Sequence, residues 1–356
     1  MKKSSRAFLE QLMSVACPSG FEEPAQALVR AEFETFADTV STDVHGNVIA
    51  AINPDAELRV MLAGHCDEIG LMVNYIDDQG YIWFGTIGGI DPIMLPGQRV
   101  RLQCDKGPVI GAIGKKPIHL MESDERGKNV KITDLWIDIG AKDKKDAEKR
   151  VSVGDIGTVI AGFEELQNDI VISRAFDDRI GSFTVIEALR RVADSKKKPK
   201  VGVFAVSTVQ EEVGLRGAKT SAYGVDPHVG IAVDVGFASD FPTVDKKIVG
   251  DIKLGEGPIL HRGCNINPVV ARDMEAVARK AKIPYQMQAE PRATGTDANV
   301  MQTTRAGVAT SLISIPNRYM HTPVEAVSMK DVDNASKLIA EYVLTLTAKS
   351  AFVPGQ

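Results

Sequence analysis

Two adjacent glutamates, Glu211 and Glu212, follow an apolar run at residues 201–206 that predicts a fully buried strand. In a doubly wound sheet, catalytic groups lie at the carboxyl ends of such strands. Two neighbouring carboxylates raise each other's pKa and resist desolvation, and a nearby cation would remove that cost. One glutamate could then hold a metal ion while the other stays free as a base. A solvated pair that opens a helix explains these two residues equally well.

Four further buried-strand patterns in the sequence end on side chains that can bind metal. They end at His65 and Asp67, at Asp177 and Asp178, at Asp234, and at His321. Alone, each has an ordinary explanation as a core histidine, a helix cap, a turn residue or a loop residue. Together, these side chains would converge at one edge of a parallel sheet, where burying so much charge requires cations. Mixed nitrogen and oxygen ligands suit zinc, cobalt or manganese, and the excess of carboxylates favours two metal ions.

Sequence motifs of other catalytic classes do not occur in this chain. There is no H-E-x-x-H pair for a helix-borne zinc site and no G-x-S-x-G nucleophile elbow. The single G-x-G at residues 255–257 lacks the rest of a dinucleotide fingerprint, so a turn is the better interpretation. The chemistry is therefore expected at the strand ends.

The charge and cysteine content exclude several kinds of partner. With a net charge of −5 the chain has no basic face, so neither nucleic acid nor an acidic membrane is expected to bind it. The four cysteines form no C-x-x-C pair and no disulfide spacing, and we interpret them as reduced thiols. No apolar run has the length of a signal-peptide core or a membrane span. These features predict a soluble, cytoplasmic protein.

The order of helical and strand patterns predicts two domains in the 356-residue chain. Strands alternate with helices through most of its length, which indicates an α/β fold with a largely parallel, doubly wound sheet and helices on both faces. The pattern of apolar and polar residues changes between residues 70 and 162, where short strand-like runs are interrupted by glycine and proline. We therefore predict a discontinuous catalytic domain, residues 1–69 and 163–356, with a small β-rich domain inserted at residues 70–162.

The segments around these strand ends resemble the metal-site motifs of the M42 aminopeptidases, a family in which some members carry glutamyl-aminopeptidase or cellulase-like names. The matching segments are His65-x-Asp67, Ala-Phe-Asp-Asp-Arg at 175–179, Gln-Glu-Glu-Val-Gly at 210–214, Asp234, and Met-His-Thr-Pro at 320–323. The resemblance extends over nearly the whole chain and includes the position of the inserted domain. It implies two divalent metal ions per subunit, usually zinc or cobalt.

Carried over by position, the resemblance implies a set of five metal ligands. Asp177 would bridge the two ions, with His65 and Asp234 on one ion and Glu212 and His321 on the other. The spacing of the residues alone does not distinguish Asp177 from Asp178 as the bridging ligand.

The resemblance also assigns three supporting roles. Glu211 would act first as general base and then as general acid. Asp67 would hold the ring of His65 and so fix its tautomer and basicity. Asp178 would set the backbone geometry next to the bridging residue.

The implied activity is the removal of N-terminal residues from short peptides, by a water shared between the two metals and deprotonated by Glu211. The substrate pocket is expected around Thr296 and Asp297. Arg262 could bind an acidic substrate side chain or simply pair with a carboxylate, so the preferred N-terminal residue stays open. The resemblance further implies a barrel-like inserted domain that mediates homo-oligomerisation, from dimers up to twelve-subunit tetrahedra.

Three alternative functions remain open on the sequence. A related two-metal deacylase or carboxypeptidase would use the same ligands and differ in which end of the substrate it anchors. A glycosidase would need two carboxylates that act without metal. A non-catalytic, metal-binding relic of the fold is the third alternative, although such a protein would have no use for the base Glu211.

Overall fold

The computed structural model describes residues 1–124 and 126–355, so Glu125 and Gln356 of the predicted domain ranges lie outside the described residues. In this part of the chain the helices are α1 (Lys3–Ser14), α2 (Glu23–Phe33), α3 (Lys144–Ala147), α4 (Phe176–Asp194), α5 (Arg216–Val225), α6 (Lys246–Val249), α7 (Pro268–Ala281), α8 (Asp297–Gln302) and α9 (Met329–Val343). None of these helices combines the length and the hydropathy that a bilayer-spanning helix needs.

The strands of the same residues belong to two sheets. They are β1 (Thr39–Thr42), β2 (Val48–Ile52), β3 (Arg59–His65), β4 (Gly70–Ile76), β5 (Ile82–Ile87), β6 (Arg99–Gln103), β7 (Val109–Gly114), β8 (Trp136–Asp138), β9 (Ile156–Val159), β10 (Glu164–Glu165), β11 (Ile170–Ser173), β12 (Gly202–Thr208), β13 (Val229–Phe237), β14 (Ile259–Gly263), β15 (Gln286–Glu290), β16 (Ala309–Arg318) and β17 (Glu325–Ser328).

The larger sheet has the strand order β1-β2-β12-β3-β13-β16-β17-β11-β10, with β14 and β15 attached beside β16. Its centre is parallel, since β12, β3, β13 and β16 pair in that sense. The outer strands run antiparallel, in part because short turns join neighbours such as β1 and β2. The predicted α/β class is confirmed, and the sheet is mixed rather than largely parallel.

Five strands of this sheet place their carboxyl ends at one edge. Strands β3, β12, β13 and β16 point the same way because they are parallel neighbours. Strand β11 is antiparallel to β17, which is antiparallel to β16, so β11 points in that direction as well. The convergence expected from the sequence is therefore present, although one of its five strands reaches it through two antiparallel pairings.

Helix α4 packs closely against β3 beneath this edge. A Cβ atom on Gly64 would lie 2.4 Å from the backbone carbon of Gly181, so a side chain at this position would force the helix away from the strand. The aliphatic faces of α1, α4 and α9 meet the sheet in the main hydrophobic core. The carboxyl edge of the sheet thus rests on a rigid, fully packed layer.

Strands β4 to β9 form a separate closed barrel in the order β4-β5-β8-β7-β6-β9. Its interior is filled by apolar side chains that alternate with outward polar ones, as in β6, where Val100 and Leu102 are buried and Arg99 and Arg101 are exposed. The charged stretch at residues 142–150 forms only the single-turn helix α3. The β-rich texture of the insertion was predicted, and barrel closure follows from the pairing of β6 with β9 and of β9 with β4.

Candidate active site

The carboxylate of Asp177 lies between two histidines at the carboxyl edge of the large sheet. Its Oδ1 is 3.2 Å from Nε2 of His65, and its Oδ2 is 3.2 Å from Nε2 of His321. One oxygen therefore faces each imidazole, which is the arrangement that a carboxylate bridging two cations requires. Asp177 is only 8% exposed, so this charge must be balanced locally.

His65, the last residue of β3, is held with its Nε2 towards Asp177. On the opposite side of the ring, Nδ1 lies 3.1 Å from the backbone oxygen of Asp67 and 3.4 Å from its Oδ1. A protonated Nδ1 donates to these oxygens, so the Nε2 lone pair is left for a metal.

His321 is held in the same way by a residue that follows the barrel strand β5. Its Nδ1 donates to the carbonyl oxygen of Gly89 at 2.7 Å, again leaving Nε2 towards Asp177. The neighbouring Gly88 has a φ of +73°, and a Cβ there would lie 2.8 Å from Ile69. A glycine is therefore required for the loop to come this close. Sequence reasoning missed this contact, because every residue has a backbone carbonyl and the residue type does not indicate which carbonyl accepts a hydrogen bond.

The potential ligand atoms fall into two groups, within each of which they lie no more than 4.8 Å apart. One group contains His65, Asp178 and Asp234, and the other contains Asp177, Glu212 and His321. Asp234 lies inside β13 opposite Ser314 rather than at its end, because the pairing of β13 with β16 continues through Phe237. The sequence prediction that this strand ends at Asp234 was therefore wrong.

Asp178 uses its carboxylate to hold the backbone. It accepts hydrogen bonds from the backbone N–H of His65 at 3.2 Å and from that of Gly181 at 3.0 Å. The second bond satisfies an otherwise free donor in the first turn of regular helix in α4. The peptide bond between Asp177 and Asp178 is cis. In this arrangement Asp177 presents both oxygens to the histidines, whereas Asp178 anchors β3 to α4.

Asp67 connects the first histidine to the two glutamates. Its Oδ1 accepts from the backbone N–H of Glu211 at 3.0 Å, and its Oδ2 accepts from that of Glu212 at 3.2 Å and from Oγ of Ser19 at 2.6 Å. It is fully buried, yet these donors and His65 hold its pKa below the usual value. Asp67 therefore sets the position of the Glu211–Glu212 turn, a contact that the sequence does not reveal.

Glu325 is a further buried carboxylate that sequence reasoning missed. It accepts from the backbone N–H of Asp177 and from that of His321, each at 2.8 Å, and is 2% exposed. It therefore fixes the backbone of two potential ligands that are far apart in the chain. The available sequence signal, an acid four residues after His321, is too weak to identify it.

Replacing Glu325 by glutamine is expected to weaken metal binding by about 10- to 100-fold. The amide can accept only one of the two backbone bonds, so either Asp177 or His321 loses its support. Metal titration followed by calorimetry would measure the change. Asp331→Asn is a matched control, since Asp331 accepts two backbone N–H bonds, from Gly255 and Gly257, away from the metal cluster. Equal metal affinities in the Glu325 variant and the parent would contradict this role.

The electrostatics of the cluster require positive charge. Burial raises the pKa of Glu211 to about 10 and that of Glu212 to about 8, with neighbouring carboxylates adding to the effect. Burial likewise raises the pKa of Asp234 well above its usual value. Burial opposes ionisation of Asp177 as well, but hydrogen bonds from His321 and His65 hold its pKa below the usual value. A hydrogen bond to Asp177 raises the pKa of His321 to about 9.

The residues of the cluster fit divalent cations by their chemistry. In the described part of the chain, the buried Oε1 of Glu212 has no hydrogen-bond partner. Two imidazole nitrogens and several carboxylate oxygens suit zinc or cobalt. Cations at these groups would take the place of the protons that the raised pKa values otherwise retain.

Glu211 stands apart from the two ligand groups but close to them. Its Oε2 lies 3.7 Å from Nε2 of His65, and the side chain faces the adjoining cavity. It is 9% exposed and lines the cavity, so water in the cavity can reach it. A carboxylate in this position can exchange a proton with a substrate or a water held at the cluster.

A cavity of about 600 Å³ opens onto the cluster. Its wall is built from Gly89, Leu215, Val235, Phe237, His261, Gln288, Glu290, Thr294, Thr296, Leu312, Ser314 and Met320, among others. Of the predicted pocket residues, Thr296 lines the cavity. Asp297 lies behind the wall, where it accepts from Oγ1 of Thr208 at 2.6 Å. Arg262 is not part of the wall, and its guanidinium donates to Glu275 at 2.6 Å.

A sequence profile described as M42 glutamyl aminopeptidase matches residues 46–338. The chain belongs to the M42 family. The lysyl aminopeptidase of Pyrococcus furiosus is 42% identical over 304 residues, covering 85% of this chain and 86% of that protein. Among solved structures, a TET aminopeptidase from a marine sediment archaeon of the Thaumarchaeota superposes with a TM-score of 0.93 at 38% identity, covering 97% of each chain.

A TET1 peptidase from Pyrococcus horikoshii, described as assembling into a tetrahedron or an octahedral shell, has a TM-score of 0.86 at 32% identity and covers 96% of this chain and 100% of that one. Membership of the M42 family makes the protein a hydrolase of peptide bonds and confirms the resemblance noted in the sequence. It also favours peptide chemistry over the glycosidase alternative.

Proposed function

We propose that this M42 enzyme is a two-metal aminopeptidase that releases N-terminal residues from short peptides. The observation that carries the proposal is the position of Asp177, with one carboxylate oxygen 3.2 Å from each of the two histidine Nε2 atoms. A single carboxylate between two imidazoles, with further acids on either side, is the donor set of a dinuclear site.

The proposed ligands follow the two groups of side chains. His65 and Asp234 would hold one ion and Glu212 and His321 the other. Asp177, whose Oδ1 is 3.2 Å from Nε2 of His65, would serve both ions in place of Asp178, which lies in the first group but accepts two backbone hydrogen bonds. When bound, such ions supply Lewis acidity and lower the pKa of a coordinated water. The five side chains would fix where that positive charge lies, and the backbone oxygens of Asp67 and Gly89 keep the rings of His65 and His321 in place.

Glu211 would transfer the proton. Its carboxylate accepts a proton from the attacking water and later gives it to the leaving amine, so one residue serves as base and then acid. Burial raises the pKa of Glu211 in the metal-free protein, and the positive charge of bound cations would lower it again, so that the carboxylate could accept a proton and then release it. The bond that breaks is the first peptide bond, and the products are a free amino acid and a shortened peptide.

The acidic character of the cavity favours an aminopeptidase over a carboxypeptidase. Among the described residues that line the cavity there is no lysine or arginine to bind a terminal carboxylate, whereas Glu211, which neither ion would hold, could accept hydrogen bonds from a substrate ammonium group. A deacylase would accept a blocked amine, whereas an aminopeptidase needs a free one.

A panel of aminoacyl-chromophore substrates, each paired with its N-acetylated form, tests this function. We expect turnover of the free-amine substrates in the presence of zinc or cobalt, and none of the acetylated ones. Turnover of the acetylated forms would indicate a deacylase, and inactivity towards both forms with metal bound would contradict the proposal.

We also propose that the protein forms homo-oligomers in the cytoplasm. The TET1 peptidase of Pyrococcus horikoshii is described as a tetrahedral or octahedral assembly, and this chain covers 100% of it. The barrel would mediate the contacts, as expected for the inserted domain. Light scattering of the native protein would show a mass that is a multiple of the 38.4 kDa chain, twelvefold for a tetrahedron.

A further inference from the structure

The cavity extends from the metal cluster across three neighbouring strands. Asp234 in β13 lies opposite Ser314 in β16, and β16 in turn pairs with β14, which pairs with β15. His261 of β14 and Gln288 of β15 are direct partners in that ladder, and both line the cavity. The far wall of the cavity is thus the part of the sheet that no metal ligand occupies.

Glu290, at the end of β15, gives this far wall a negative charge. None of the described lining residues is lysine or arginine, and Glu290 is the carboxylate of the wall that lies outside the metal cluster. Its Oε1 is 3.2 Å from Nδ1 of His261. Among the described residues, His261 is the one side chain recorded beside this carboxylate, and it lies against Oε1, so the second oxygen is left for a ligand. The side chain is 25% exposed, as expected for a group that faces a cavity.

The neighbours of Glu290 are fixed and also offer hydrogen-bond acceptors. His261 is 3% exposed, and its Nε2 lies 2.9 Å from Oγ of Ser314, which holds the ring in the wall. The Oε1 atom of Gln288 is buried and has no hydrogen-bond partner among the described residues. A ligand with several N–H donors would satisfy both this oxygen and the free oxygen of Glu290.

We propose that Glu290 and Gln288 bind the cationic side chain of an N-terminal lysine or arginine, so that the enzyme prefers basic N-terminal residues. This inference rests on the proposed aminopeptidase function, because it places the substrate's α-amino group at the metal cluster and its side chain along the cavity.

The surface between the cluster and Glu290 suits the stem of such a side chain. Leu215, Val235 and Leu312 line the cavity and can pack against methylene groups. Lysine has a flexible four-carbon stem with three donors at its end, and arginine has a planar fork of five donors. Each therefore places apolar atoms against the apolar wall and N–H groups at the carboxylate.

Other N-terminal residues fit this wall less well. An acidic side chain would meet the carboxylate of Glu290, and two like charges that are partly removed from water repel each other. A neutral apolar side chain would remove water from Glu290 without replacing its hydrogen bonds. An enzyme rejects a substrate more strongly when that substrate leaves a polar group of the site unpaired than when it differs only in size.

The test compares lysyl and norleucyl substrates, which share the four-carbon stem and differ in the terminal ammonium. In the zinc- or cobalt-loaded enzyme, kcat/KM is expected to be about 10- to 100-fold higher for the lysyl substrate. Glu290→Gln should remove most of that ratio, chiefly by lowering kcat/KM for the lysyl substrate, and Glu290→Lys should shift the preference towards a glutamyl substrate. Glu164→Gln, an exposed acid on β10, is the control for a change of net charge.

Inhibition by free amino acids gives a second measurement of side-chain preference, which does not depend on how fast the lysyl, norleucyl and glutamyl substrates are cleaved. L-lysine should inhibit the parent enzyme more strongly than L-norleucine, and the two should be equal in Glu290→Gln. A parent enzyme that cleaves norleucyl or glutamyl substrates as well as lysyl ones would overturn the specificity and leave the aminopeptidase function standing. An unchanged lysyl preference in Glu290→Gln would also overturn it. No turnover of any free-amine substrate would instead contradict the proposed function.

Discussion

Glu211→Gln is expected to lower kcat by about two to four orders of magnitude, because the amide cannot accept a proton from the attacking water. The substitution keeps the size of the side chain. It leaves the backbone N–H of residue 211 bonded to Asp67. Metal content should therefore stay at the parent level while KM changes little. Steady-state kinetics and elemental analysis of the same preparation would measure both quantities.

Glu275→Gln is a suitable control for this experiment. Glu275 is also a buried glutamate, but it pairs with Arg262 and Arg279 on the outside of the cavity wall. It should change kcat by much less than Glu211→Gln does. If Glu211→Gln kept the parent kcat with two metals bound, proton transfer would have to be assigned to another group.

Loading the metal-free protein with zinc or cobalt at neutral pH is expected to release protons. The pKa values of about 8 for Glu212 and about 9 for His321 mean that both groups hold protons at pH 7 when no cation is present. Metal binding must displace these protons, so the apparent affinity should rise with pH by about tenfold per unit for each proton released. Calorimetric titration in two buffers of different ionisation enthalpy would count the protons.

The same groups predict how the stability of the metal-free protein depends on pH. The pKa values of Glu211, Glu212 and His321 are all raised in the folded state, so the folded protein binds more protons than the unfolded one. Its free energy of unfolding should therefore fall as the pH rises from about 5 to about 9. Saturating metal should remove most of this fall, because cations then neutralise the cluster. Metal binding without proton release, together with a free energy of unfolding that does not change with pH, would contradict the claim that Glu211, Glu212 and His321 hold protons in the metal-free folded protein.

The sequence allows the ligand side chains to be predicted because each of them stands near the end of a buried strand. Parallel strands gather their carboxyl ends at one edge, so an apolar run followed by His65, Asp177 or Glu212 carries positional information. The resemblance to the M42 aminopeptidases then distinguishes Asp177 from Asp178. The structure gives a physical basis for that choice, since Asp178 is occupied with the backbone N–H groups of His65 and Gly181.

The groups that hold these ligands could not be predicted in the same way. The carbonyl of Gly89 reaches His321 from the inserted barrel, and any residue type carries a carbonyl. Glu325 and Asp67 act on backbone N–H groups, which are likewise the same in every residue except proline. Strand order at the sheet edges depends on long-range pairing, so the antiparallel outer strands and the attachment of β14 and β15 were not evident. The far wall of the cavity, with Glu290, belongs to those added strands.

The most direct test of the two-metal site is anomalous diffraction from crystals of the zinc-loaded protein, with the metal content measured in solution. Two peaks are predicted, one on each side of the Asp177 carboxylate, the first within bonding distance of His65 and the second within bonding distance of His321. A single peak, or two peaks of which neither contacts Asp177, would contradict the dinuclear site on which the proposed catalysis depends.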